Sequence, residues 1–202
     1  MAGKTRREEY AELTRAAVVS AAIARFTADG YAATTIDAIA EEARVTKGGV
    51  YHHFADKAEL FEAAFVAMQR RLLARIAAGL AGLDAETAIV AGMDLFLDEC
   101  AHDDFRRIVL EQAPAALGWA RWKKIDEEYF LGMFVTALGG LVATGDYEIP
   151  DLALAARVLM AAMDEAALAV AAAPDPEVER ERARVLLRQL LRGFRAGQGA
   201  GS

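Results

Sequence analysis

Cysteine occurs once in these 202 residues, at Cys100, so the chain has no internal disulfide to form, and no basic stretch with an apolar run and a cleavage site marks a secreted precursor. The expected location is the cytoplasm. Proline occurs four times and period-two alternation of β-branched residues is scarce, whereas alanine, which loses no side-chain entropy in a helix, is abundant. The expected fold class is all-α. Long hydrophobic runs are missing too: the most apolar stretch, Leu131 to Thr144, is broken by Gly139 and Gly140 and is too short for a hydrocarbon layer of about 30 Å. Catalytic signatures are also absent. With no GxGxxG, Walker, GxSxG or HExxH sequence and only three histidines, no nucleophile, base or cofactor cradle stands at workable spacing. The chain reads as a non-enzyme that needs no cofactor.

Metal ligation is weakly signalled. His52 and His53 are neighbours and diverge by about 100° on a helix, so they do not chelate together. Cys100, His102, Asp103 and Asp104 carry ligand atoms, but they sit at an expected helix junction, where polar residues cap and cysteine packs. No metal site is expected.

The formal charge of −7 argues against a nucleic-acid partner until its distribution is read, because phosphate contacts need lysine or arginine. Residues 1–60 hold 8 basic and 9 acidic side chains, and the remaining residues hold 15 and 21. The acidity therefore lies mostly outside the N-terminal part. There, Lys4, Arg6, Arg7, Arg44, Lys47 and Lys57 can share a face that leaves Glu41 and Glu42 on another.

Apolar spacing predicts a first helix with Val18, Ala22, Ile23 and Phe26 on one stripe, preceded by a charged segment, Lys4 to Glu12, that frays, and stopped at Asp29-Gly30. A short second helix follows, capped by Thr34 with Asp37 at N3 and burying Ile36, Ile39, Ala40 and Ala43. Thr46 caps a third, with Val45 and Val50 placed as a hydrophobic staple. Asp56 and Glu59 open a long fourth helix towards Gly79. Beyond Gly82, helices are predicted over 84–101, 103–113, 118–143, 151–172 and 177–195, with an unpacked tail from Gly197 to Ser202.

Two short helices joined by a tight turn form the pattern that lays a recognition helix in the DNA major groove. The run Thr34-Thr35-Ile36-Asp37-Ala38-Ile39-Ala40-Glu41-Glu42-Ala43-Arg44-Val45-Thr46-Lys47-Gly48-Gly49-Val50-Tyr51-His52-His53-Phe54-Ala55-Asp56-Lys57-Ala58-Glu59-Leu60 closely resembles the signature of TetR-type transcriptional regulators. The resemblance extends over residues 14–72 and takes in Phe26 and the Asp29-Gly30-Tyr31 turn. Beyond that, only the helical architecture and the stretch Glu111-Gln112-Ala113-Pro114-Ala115-Ala116-Leu117-Gly118-Trp119 look like the family's regulatory domains. It implies a helix-turn-helix DNA-binding domain at 14–72, linked by a long helix to a helical regulatory and dimerisation domain at 73–196, with flexible ends at 1–13 and 197–202.

Residue chemistry agrees with a DNA-facing role. Thr46 can cap the third helix and donate to a phosphate, and Lys47 adds charge where helix-start amides already favour an anion. Gly48 and Gly49 cost helix stability, each up to about 1 kcal/mol relative to alanine, so their use is close backbone approach to the groove. Tyr51, His52 and His53 offer ring donors and apolar edges to bases and phosphates, and Lys57 suits the sugar-phosphate backbone. Thr35 matches a family position near the opposite backbone wall. Arg44 departs from the family, which usually has glycine at that turn; it is either a strained residue reaching a phosphate or a solvated turn residue. A helical hairpin with an incidentally polar face is the alternative, and it leaves two glycines in a short helix unexplained.

Further along, Phe96, Cys100, Trp119, Trp122, Tyr129, Phe130, Met133, Phe134, Met163 and Asp164 are candidate pocket residues, although aromatic clusters also build ordinary cores. Asp126, Glu127, Glu128 and Asp164 are candidate polar anchors for a hydrophobic effector, one that can carry positive charge. The resemblance, rather than spacing, implies a small-molecule pocket; control by a protein partner or by expression level is the alternative. The resemblance likewise implies a homodimer through the last two helices, with Ala155, Ala156, Leu159, Met163, Ala167, Leu186, Leu190 and Phe194 as candidate interface residues. The expected activity is repression of transcription at a palindromic double-stranded operator, relieved by the effector, with no membrane partner.

Overall fold

A computed structural model describes residues 5–197, so the expectations for Lys4 and for residues 198–202 lie outside it. The chain order is α1 (Arg6–Ala33), α2 (Ile36–Glu42), α3 (Lys47–His53), α4 (Lys57–Gly79), α5 (Ala85–Glu99), α6 (Asp103–Phe105), a π-helix (Arg106–Gln112), α7 (Ala113–Ala116), α8 (Trp119–Ala143), α9 (Leu152–Ala172) and α10 (Pro176–Arg192). Among the described residues the fold is all-α, and the sole extended pairing is an isolated bridge between Tyr147 and Arg195. None of the described helices is long and apolar enough to cross a membrane.

Local chemistry accounts for most boundaries. Thr46, Asp84, Asp151 and Asp175 each accept a hydrogen bond from the N–H three residues on, which satisfies one of the donors a helix start leaves free. Asp56 does the same for Glu59 at 2.8 Å, while the Glu59 carboxylate accepts from the Ala55 N–H, so α4 opens as its sequence indicates.

Four boundaries differ from expectation. The segment expected to fray is helical from Arg6, because Thr5 and Glu8 form a reciprocal capping box. Thr34 does not cap α2: its hydroxyl donates to the Gly30 carbonyl at 2.7 Å, and Thr35 takes the cap, accepting from Ala38. The helix expected over 103–113 is a single α turn followed by a π-helix, in which Ala113 N–H reaches the Ile108 carbonyl five residues back. Pro114 has no N–H to return to Leu110, which removes the ordinary α bond at that point. Finally, α10 stops at Arg192 because Phe194 and Ala196 instead pair with the loop at Asp146 and Glu148.

By packing, the described residues form two compact units: 5–68 together with Asp103–Trp122, and Gln69–His102 together with 123–197. The first is built around Phe26, Ile39, Val50, Phe54, Phe61, Phe65, Phe105 and Ile108, with Phe61 set edge-on to both Phe26 and Tyr31 at 5.0 Å. Fully burying one such side chain is worth about 1.5–3 kcal/mol. The second unit centres on Leu72, Leu97, Ile125, Leu138, Leu141, Ala156, Leu159 and Leu187. In it the fully buried Glu99 is held by Arg71, at 2.8 Å, and by Arg75, which ties α5 to the latter half of α4. The family resemblance implies a single boundary, at 72, whereas by packing residues 103–122 group with the N-terminal helices.

Candidate nucleic-acid interface

The α2–α3 turn is a complete Schellman motif. Arg44 N–H donates to Glu41 and Val45 N–H to Ala40, at 3.0 and 2.9 Å, closing the end of α2 around Arg44 with φ 56. The turn thus has the glycine geometry with arginine in it, at a cost of roughly 1–2 kcal/mol for a side chain in the left-handed region. The Arg44 side chain is exposed.

From that turn α3 projects its first residues into solvent. Thr46 Oγ1 accepts from the Gly49 N–H at 3.0 Å, which leaves its hydroxyl proton to donate outward. A Cβ on Gly48 would meet only Thr46 Oγ1, at 3.8 Å, and one on Gly49 would make ordinary contacts at 3.4 Å and beyond. Nothing inside the protein requires glycine at 48. Val50 and Phe54 are buried and seat the helix, whereas Thr35, Thr46, Lys47, Gly48, Tyr51 and His52 are exposed.

Charge on this face is partly committed. Lys47 Nζ pairs with Asp37 at 2.8 Å, and both groups are more than half exposed, so the pair is weak and exchangeable. Burial first, then the neighbouring His52 and Arg15, push the His53 imidazole below its usual range. His53 is therefore a neutral hydrogen-bonding ring at physiological pH. Lys57 is differently employed: its ammonium donates to the carbonyls of Tyr31, Ala32 and Thr34 at 2.8, 3.3 and 3.1 Å, an internal cap that the sequence reading, which assigned it to the sugar-phosphate backbone, did not contain.

Residues 18–64 match the model for bacterial regulatory proteins of the tetR family, and residues 86–194, more than half of the chain, match the tetracyclin repressor-like C-terminal domain. The chain belongs to the TetR family. Transposon Tn10 TetC protein of Escherichia coli is 29% identical over 151 residues, covering 75% of this chain and 77% of TetC. The regulator TtgR of Pseudomonas putida is 48% identical over 58 residues, but this covers only 29% of this chain and 28% of TtgR. A TetR-family transcriptional regulator of Pectobacterium atrosepticum superposes with a TM-score of 0.83 at 27% identity, over 96% of this chain and 98% of the other. The protein is accordingly a DNA-binding transcription regulator and not an enzyme.

The expected effector residues of this TetR-family chain are not gathered into one unit. Trp119 and Trp122 belong to the first, their rings 4.8 Å apart, with Trp119 65% exposed and Trp122 buried. Phe96, Cys100, Tyr129, Phe130, Met133, Phe134, Met163 and Asp164 belong to the second, where Cys100, Phe130, Phe134 and Met163 are core and the others half-buried. Burial, then the charges of Asp164 and Glu99, push the Cys100 thiol up, so it is a protonated core group. The expected polar anchors are already paired: Glu127 with Arg157, Glu128 with Lys124, and Asp126 and Asp164 with a shared Lys123 at 3.5 and 3.4 Å.

The expected dimer residues need correction. Ala155, Ala156, Leu159, Met163 and Ala167 are buried within the protomer, on the face of α9 that packs its own unit, and are not available to a second copy. Leu186 and Leu190 do face solvent, and Phe194 is half-buried. The exposed apolar stripe of α9 is instead Leu154, Val158 and Leu168. Spacing alone did not choose between the two faces, because alanines populate both.

Proposed function

We propose that this regulator is a homodimeric repressor whose α3 helices enter successive major grooves of a palindromic operator, and that an apolar small molecule bound in the regulatory part releases it. The single observation that carries the DNA mode is the start of α3: an exposed threonine hydroxyl, a lysine, and two glycines that the protein's own packing does not demand. Thr35, Arg44, Thr46 and Lys47 take phosphates, Gly48 and Gly49 let the backbone approach, and Tyr51, His52 and His53 meet base edges. A palindromic operator read this way presents its two half-sites about one DNA turn, 34–36 Å, apart, and a dimer must match that spacing.

Release requires an effector that binds the DNA-incompetent conformation more tightly, and operator must then weaken effector binding by the same factor. The helix α4 runs unbroken from Lys57 to Gly79 and passes from residues of the first unit to residues of the second, which makes it the proposed lever. Selection of bound duplexes from a random pool tests the reading. It should return an inverted repeat bound with an affinity that falls steeply with salt, and His52→Ala should change which sequences are preferred. A pool without an inverted repeat overturns it. For the effector, a thermal-shift screen followed by operator release identifies the inducer; a tight binder that leaves operator affinity unchanged is not one.

A further inference from the structure

Gln112 is the last residue of the π-helix, and its side-chain amide makes two hydrogen bonds to α1. Oε1 accepts from the Tyr31 N–H at 2.8 Å, and Nε2 donates to the Phe26 carbonyl at 3.1 Å. These groups flank the point where α1 breaks, Gly30 having φ 80 and ψ 161. A break makes a new helix start, whose first N–H groups have no carbonyl behind them, and Tyr31 supplies the first of these. The single turn 31–33 then leads through Thr34, held by the Gly30 carbonyl, into Thr35, the cap of α2. From there the Schellman turn carries α3.

We infer that Gln112 is a positioning residue for operator recognition: its amide sets how the turn 31–33 leaves α1, and through that turn where Thr35 and the α2–α3 pair stand. The inference rests on the DNA-binding mode proposed above. Lys57 holds the carbonyl side of the turn from α4, and Gln112 holds its N–H side from the 103–122 segment. Arg107 reaches the Ala28 carbonyl beside it at 3.5 Å. The demand at this place is for an acceptor and a donor on one planar group, which an amide supplies and which a carboxylate or an ammonium supplies only by half. A simple staple between helices would have the same contacts but would matter only to stability, so the two roles separate on DNA discrimination.

The test uses the full chain, the duplex that the unmodified protein selects, and a random duplex of equal length. Gln112→Met, apolar and of similar size, and Gln112→Glu, nearly isosteric, are compared at fixed salt, with helical circular dichroism confirming the fold. Both should lose about tenfold or more in operator affinity while random-duplex affinity changes by less than about twofold, since only the former depends on register. Lowering the pH towards about 5 should recover part of the loss in Gln112→Glu, because a protonated carboxyl again offers an acceptor and a donor, and should not help Gln112→Met. The unmodified protein at each pH is the reference. Unchanged operator affinity, or equal loss on both duplexes, overturns the inference even where the selected operator is real. Failure of the unmodified protein to select any sequence overturns the DNA-binding mode and this inference with it. Should Gln112→Met not fold, the pH dependence of Gln112→Glu decides alone, and a flat profile relative to the unmodified protein overturns the inference.

Discussion

The ammonium of Lys57 lies 2.8 Å from the Tyr31 carbonyl oxygen and 4.5 Å from the centre of the Tyr31 ring. It serves as a C-terminal cap borrowed from another helix, binding carbonyls that the short turn 31–33 leaves open. Replacing it by methionine keeps the apolar stem and strands those carbonyls. Lys57→Met is expected to lower stability by about 1.5–3 kcal/mol in urea unfolding, in line with hydrogen bonds to a charged donor. Operator affinity should fall with it, but the slope of log affinity against log salt should not move. A phosphate contact would instead reduce that slope by about 1.

Arg44 makes the opposite trade. Its φ of 56 suits glycine, so Arg44→Gly should raise stability by about 1 kcal/mol. If the exposed guanidinium reaches a phosphate, as proposed, the same variant binds every duplex more weakly and loses about one unit of salt slope. Unfolding and salt titration on one preparation measure both. A more stable variant with unchanged DNA affinity would show that Arg44 is a solvated turn residue.

The helix-turn-helix was legible in the sequence because its determinants are local: caps at Thr46 and Asp56, apolar residues at helical spacing, and a turn of known geometry. Caps that depend on partners distant in sequence were not. The sequence points to Thr34 as the cap of α2, and only the Gly30 carbonyl, which claims the Thr34 hydroxyl, passes the cap to Thr35. Gln112 lay within a stretch singled out by resemblance, but its partners are 81 and 86 residues away in sequence, and no periodicity encodes them. Similarly, α9 reads as apolar on most sides. Which side faces the core depends on α10, which buries Ala183, Leu187 and Leu191 and leaves Val185, Leu186 and Leu190 outside.

Gly48 should behave unlike a structural glycine. A Cβ there meets nothing closer than 3.8 Å, so Gly48→Ala is expected to stabilise α3, by up to about 1 kcal/mol. On the proposed DNA mode it should nonetheless weaken operator binding by more than about tenfold, because the added methyl group stands between backbone and groove. Thermal unfolding alongside operator titration checks the pair of outcomes, and a variant that is stabilised yet binds normally removes the close-approach role.

Asp126 gives the second unit a pH dependence of known sign. It is 8% exposed and shares Lys123 with Asp164, so two carboxylates face one ammonium; Glu127 adds its charge on Asp126, and the Cys100 thiol faces Asp164. Burial, then the charge of Asp164, push the Asp126 carboxyl up to about 7 against the pull of Lys123, and burial raises Asp164 as well. An unfolded aspartate titrates near about 3.9, so the folded protein holds the extra proton between these values. The stability this contributes is fully present below about 4 and lost as the pH rises through about 7. Asp126→Asn, which mimics the protonated form, should be more stable than the unmodified protein at pH 8, by about 1–3 kcal/mol, with the difference shrinking towards pH 5. A difference that is constant across this range, measured by urea unfolding, would remove Asp126 from the titration.

Assembly is the prediction on which operator geometry depends. On α9 the exposed residues Leu154, Val158, Ala161, Glu165 and Leu168 fall on one stripe, and on α10 Val178, Val185, Leu186 and Leu190 are exposed, the first three bordering a shallow groove with Glu181, Arg182 and Gln189. Val158 is 55% and Leu186 54% exposed in the protomer, so a charge at either position has no folding penalty to bear in the isolated chain. In a dimer built on these residues the same charge is desolvated without a partner. Val158→Asp and Leu186→Asp should therefore yield folded monomers by light scattering, with unmodified helical content, and should lose operator affinity because one recognition helix reads only one half-site. Ala156→Asp is the contrast: fully buried in the protomer, it should unfold the second unit rather than only separate subunits. A monomeric unmodified protein at micromolar concentration, or a dimer that survives both surface charges, would place the interface elsewhere and require a different spacing of the recognition helices.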